Sequence, residues 1–183
     1  MRNNLALKAL FVSNSIYLFA ALLLGPLYAV YVQKIGGGVL LVSVSTAVYY
    51  VSSTIFLLFV ARWGDRIREK EMMLVVSYVV RGLGFLSYIF IGSALALILI
   101  QVLFGLAESM GTPTFGALFA KHVDKKVEVM ELSDWAIVSN LVMALGTIMG
   151  GFMVSSLGFN FLFVLLSFCP CQHTGFFKPL FSV

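Results

Sequence analysis

The sequence predicts an all-α membrane protein, a bundle of six transmembrane helices with the sixth incomplete or atypical. Three observations predict it. Of the 183 residues, 61% are hydrophobic and only 11% are charged. Mean hydropathy is +1.03, whereas soluble domains are about half apolar and about a quarter charged. The apolar residues also fall in long runs, most of them reaching the ~20 residues that cross ~30 Å of hydrocarbon. The runs show neither the strict alternation nor the ~10-residue length of membrane β-strands.

The expected helices cover about 9–32, 39–61, 72–91, 94–119, 135–157 and 159–168. Residues 169–183 form a tail, "CPCQHTGFFKPLFSV", that does not continue the pattern. The break near Phe168 or Cys169 is expected to reflect truncation or a shifted reading frame, the rival being a half-size protein that dimerises. Gly25–Pro26 in the first helix and Pro113 in the fourth predict kinks, because proline lacks an amide hydrogen and crowds the preceding turn.

Lys and Arg give the orientation. Arg2, Lys8, Arg62, Arg66, Arg68, Lys70, Lys121, Lys125, Lys126 and Lys178 fall on one side of the alternating spans, and Lys34 alone falls on the other. The positive-inside rule then predicts a cytoplasmic N-terminus, with the segments 62–71 and 120–134 on the same side. The net charge of +4 is therefore topological and implies no nucleic-acid partner. Cys169 and Cys171 are too close for an unstrained bridge and do not have metal-ligand spacing. No phosphate-cradling loop, nucleophile–base pair or metal-ligand cluster is present, so no enzyme activity, cofactor or metal is expected. His122 and His173 are read as solvated.

The remaining basic residue, Arg81, lies within the third segment and Glu108 within the fourth. A charge at mid-membrane costs ~2.5–3.5 kcal/mol on insertion scales, so it normally faces a cavity or a partner. Around the Gly92–Ser93 turn their depths differ by about 6 Å at 1.5 Å per residue. Two long side chains bridge that gap. Glu108 is a candidate for proton coupling or substrate binding with Arg81 as its balance; a purely structural ion pair is the alternative. Asn14 and Tyr17 on the first helix and Asn140 on the fifth are candidate cavity residues by their helical spacing. Gly146 and Gly150 form a small-xxx-small pair, the pattern of close helix contacts.

The stretch "ARWGDRIREK" between the second and third helices resembles the loop motif of the major facilitator superfamily. Asp65 and Arg66 match its acidic–basic core and Lys70 its last basic position. Ala61, Arg68 and Glu69 depart from it. "QVLFGLAES" resembles the family's Arg-x-x-x-Gly segment, with Gly105 matching and Gln101 in place of Arg. "GTIMGG" resembles the drug-antiporter signature through Gly146, Gly150 and Gly151, with Thr147 in place of Pro.

The resemblance covers residues 1 to about 168, one six-helix half of a twelve-helix fold. It implies transport of a small solute by alternating access, driven by an ion gradient, in the plasma membrane. Asp65, Arg66 and Lys70 would form a cytoplasmic gate, with Asp65 at a helix N-terminus of the other half. The partners implied are an unidentified small-molecule substrate, protons, the lipid bilayer, and a missing second half or second copy of the chain. A non-transporting scaffold or inactive fragment remains the alternative.

Overall fold

Buried in hydrocarbon, a backbone must satisfy its own amides and carbonyls, and a helix does so within one segment. The computed structural model describes residues 5–64 and 70–171, with the side chains of 7–64 and 70–168, and all regular structure among them is helical. Helix α1 (Leu5–Leu24) passes through a 3-10 turn at Gly25–Leu27 into α2 (Tyr28–Lys34). Then follow α3 (Val39–Trp63), α4 (Lys70–Ser87) with a 3-10 extension at Tyr88–Phe90, α5 (Ala94–His122) and α6 (Glu128–Cys171). Five stretches are long and apolar enough to cross a membrane: Leu7–Lys34, Val39–Trp63, Lys70–Phe90, Ala94–His122 and Glu128–Phe168.

Local chemistry sets the ends and breaks. Pro26 enters at the start of the 3-10 turn, where a missing amide interrupts the ladder between α1 and α2. Pro113 does not end α5, which is helical from Ala94 to His122. Ser93 caps α5 by accepting from the Ala96 amide at 3.3 Å. Gly158 divides α6 into two legs at φ 79° and ψ 175°, a conformation that only glycine reaches without cost. The fifth and sixth segments read from the sequence thus lie in one helix broken at one residue.

The main helix pairs are α1 with α6, α3 with α5, α4 with α5, and α4 with α6. Phe11 meets Trp135 with ring centroids 4.8 Å apart, and further along α1 Phe19 and Leu23 meet Gly146 and Gly150. The first leg of α6 therefore runs parallel to α1. A Cβ at Gly146 would stand 2.8 Å from the Phe19 carbonyl oxygen, and one at Gly150 would overlap the Leu23 carbonyl. Gly105 plays the same part between α5 and α3, where a Cβ would overlap Ser52 Oγ. Gly151 does not belong with these packing glycines. Its Cβ position has nothing within 4 Å, because the helix turns it away from the seam.

The two ends of the bundle differ. At one end Leu7 and Phe11 of α1 pack with Phe119 of α5, against Trp135 of α6, while Leu10 packs with Leu74 and Leu118. Lys8, Arg62, Lys70, Lys121, Lys125 and Lys126 belong to this end by their places on α1, α3, α4, α5 and the α5–α6 loop. At the other end Tyr31, Tyr88, Phe159 and Phe163 pack in one cluster. Tyr88 and Phe163 stack at 5.1 Å, and Lys34 lies 5.5 Å from the Phe159 ring centre. The hydroxyls of Ser13, Ser52, Ser77, Ser109, Ser139 and Ser167 donate to carbonyls three or four residues back in their own helices.

Candidate functional site

Among the described residues, two polar clusters lie inside the bundle. The first joins α4 and α5. Arg81 Nη2 of α4 lies 2.5 Å from Glu108 Oε2 of α5. The Arg81 side chain is 4% exposed and that of Glu108 26%, so the pair is sealed on the arginine side and open on the carboxylate side. The second carboxylate oxygen accepts from Thr112 Oγ1, one turn further along α5. The guanidinium lies 4.0 Å from the centre of the Tyr17 ring, a cation–π contact. Gly111 makes room for the arginine: a Cβ there would stand 3.3 Å from Arg81 Nη2 and 2.7 Å from Ser77 Oγ.

This cluster extends to α1. The rings of Tyr17 and Tyr78 are 5.6 Å apart, and Tyr78 Oη donates to Asn14 Oδ1 at 3.3 Å. Tyr49 of α3 borders the same carboxylate. Of the candidates named from the sequence, Asn14, Tyr17, Arg81 and Glu108 are therefore brought together. Asn140 is not among them; it lies exposed on the first leg of α6. Asp65 and Arg66 lie outside the described residues. Lys70 opens α4 at the basic end, on a cleft it shares with Gly64, Met73 and Pro113.

The second cluster was not anticipated. Gln101 of α5 is 7% exposed, and its Nε2 donates to Tyr28 Oη at 2.7 Å and to Tyr88 Oη at 3.1 Å. Tyr28 Oη and Ser45 Oγ are 2.6 Å apart. Since Ser45 Oγ donates to the Val42 carbonyl at 3.0 Å, Tyr28 is the donor to Ser45. Tyr31 Oη donates to the Tyr88 carbonyl at 2.8 Å. A single amide thus ties α2, α3, α4 and α5 together. Its signal in the sequence is the lone carboxamide of the fourth apolar segment, a group that must find partners when buried.

A cavity of about 370 Å3 runs between the clusters, bordered by Tyr17 and Tyr49 towards the ion pair and by Tyr28, Tyr88, Gln101 and Phe104 towards the amide. That volume falls within the ~300–1,000 Å3 of small-molecule sites. Among the described residues, no group of three or more His, Cys, Asp or Glu has metal-binding geometry.

Long apolar helices packed around a cavity, with an ion pair between two of them, define an integral, multi-pass membrane protein. The family model for the Major Facilitator Superfamily matches residues 10–169, most of the chain. The chain belongs to that superfamily, whose members are membrane transporters rather than enzymes. Comparison with curated proteins returned no match.

Proposed function

We propose that the chain forms one half of a secondary transporter in the plasma membrane, moving a small solute by alternating access with a proton gradient as the driving force. The observation that carries this reading is the one-sided burial of the Arg81–Glu108 pair. Here the arginine is closed off beneath Tyr17, while the carboxylate stays partly exposed, next to Tyr17 and Tyr49, which border the cavity. Protonation of Glu108 removes the charge that holds Arg81, and the guanidinium is left with the Tyr17 ring. A buried cation without its counter-ion costs several kcal/mol, which favours a conformation that rehydrates it. Proton occupancy is thereby tied to the shape of the cavity.

A second bundle completes the transporter, either the other half or another copy of this chain. Asn140 and Thr147 are both exposed on the first leg of α6, and polar side chains at membrane depth normally face protein or water. Asp65, Arg66 and Lys70 are assigned to the gate on the cytoplasmic face.

The test is uptake into proteoliposomes carrying an internal pH dye and an imposed pH gradient, screened over a panel of small solutes. Wild-type protein should acidify or alkalise the lumen with one class of solute. Glu108→Gln should abolish gradient-driven uptake of that solute while leaving counterflow exchange. Unchanged driven uptake in the Gln variant would leave Glu108 a structural residue.

A further inference from the structure

The amide-centred end of the cavity has a hydrogen-bonding balance that selects its guest. Both N–H groups of Gln101 are spent on Tyr28 and Tyr88. Among the described residues its Oε1 has no partner, so one acceptor remains. Tyr28 spends its own hydrogen on Ser45. Tyr88 Oη accepts from Gln101 but gives its hydrogen to no described residue, so one donor remains. The cavity therefore offers one neutral acceptor and one neutral donor side by side, on a 7% exposed side chain and a 3% exposed one.

The surroundings of that donor–acceptor pair are aromatic and electrically matched. Tyr17, Tyr49, Phe85 and Phe104 supply flat walls. The charges at the far end are already paired: Arg81 is held by Glu108 and Tyr17, and both carboxylate oxygens are occupied by Arg81 and Thr112. An anion finds no free cation, and a cation must displace Arg81. Either ion would be desolvated in the cavity without compensation. In the stretch resembling the family's Arg-x-x-x-Gly segment, the residue in place of Arg is Gln101 itself, which removes a positive charge from this wall.

We propose that the cavity binds an uncharged, planar aromatic solute bearing an adjacent hydrogen-bond donor and acceptor, of the carboxamide or lactam type, with that group on Gln101 Oε1 and Tyr88 Oη. This rests on the transport reading above only for its consequence; the binding itself is separable. The ligand's N–H donates to Gln101 Oε1, and its carbonyl accepts from Tyr88 Oη. The ring lies between the aromatic walls, where stacked or edge-on contacts add to burial.

The experiment uses the 183-residue chain in lipid nanodiscs and three isosteric fluorescent probes: 2-naphthamide, the 2-naphthamidinium cation and the 2-naphthoate anion. Empty nanodiscs correct for partitioning into lipid. The neutral amide should bind saturably and at least ~10-fold more tightly than either ion, since an unpaired charge in the cavity is the more costly defect. Gln101→Leu and Tyr88→Phe should each weaken the amide roughly 3- to 10-fold, the loss of one neutral hydrogen bond. If Gln101→Leu does not fold, Tyr88→Phe keeps the ring stacked on Phe163 and carries the test alone.

Equal or tighter binding of either ion, no saturable binding of the amide, or amide binding indifferent to the variants that fold would overturn the proposal. The two readings fail separately. The amide preference with no gradient-driven uptake of any solute would sink the transport reading and keep the ligand class. Driven uptake confined to ionic solutes would do the reverse.

Discussion

Arg81 and Glu108 are worth more together than either is alone. Removing one partner of a buried pair costs about 3–5 kcal/mol, because the survivor is left charged in low dielectric. Arg81→Ala is therefore expected to lower the melting temperature in detergent sharply and to reduce expression. The double variant Arg81→Met/Glu108→Met should recover most of the melting temperature without recovering gradient-driven uptake. If the double variant is as unstable as Arg81→Ala, the pair contributes packing and hydrogen bonding that methionine does not replace. These two residues were legible in the sequence because charges inside apolar runs are rare, and the short Gly92–Ser93 turn limits how far apart in depth they lie. The Gln101 hub was not legible. Tyr28, Ser45 and Tyr88 stand at unrelated sequence separations from it, and only the packing of four helices brings them to one amide. Asn140 stands apart from both clusters, exposed on the first leg of α6, and nothing in its own helix says what covers that face.

Glycines decide how closely the helices approach. Gly150→Ala is expected to destabilise by roughly 1–3 kcal/mol, the usual cost of overpacking, because the new methyl meets the Leu23 carbonyl. Gly151→Ala next door meets nothing and should be neutral or slightly stabilising through better helix propensity. Thermal unfolding of the two variants side by side checks this; a Gly151→Ala loss as large as that of Gly150→Ala would mean a neighbour covers that face. The sequence motif contained both glycines and did not separate them, since the seam is set by the α1 partner. The break at Gly25–Pro26 was legible because proline chemistry acts locally. At Pro113 the helix α5 runs on without a break, although proline removes one bond of its ladder.

At the scale of the whole molecule, the bundle puts Lys8, Lys70, Lys121, Lys125 and Lys126 at one end and Lys34 at the other, matching the charge asymmetry of the sequence. Cysteine placed at Lys125 should be labelled by a membrane-impermeant reagent only from the cytoplasmic face, and cysteine at Lys34 only from outside. Labelling at 125 in intact cells would invert the assignment. This polarity could be read from the sequence because loop charge needs no knowledge of packing. Which helices pair was hidden, because apolar faces of similar composition do not name their partners.

The back-bonded serines bear on how the protein enters the membrane during synthesis. Ser13 of α1 and Ser52 of α3 are each satisfied within their own helix and so carry no orphaned donor into lipid, whereas the buried Ser15 hydroxyl of α1 has no hydrogen-bond partner among the described residues. The charge carried by α4 is a different matter. Its Arg81 costs ~2.5–3.5 kcal/mol in isolation, and the compensating carboxylate is made 27 residues later. Helices α4 and α5 are therefore expected to insert as one hairpin, with α4 held at the lateral gate until Glu108 has emerged. Glycosylation mapping of truncated nascent chains reads this directly. Chains ending after α4 should insert poorly, and chains that include α5 should insert well. Glu108→Ala should abolish the gain, whereas Ser77→Ala should leave it intact. Efficient insertion of α4 alone would show that the arginine reaches the interface unaided.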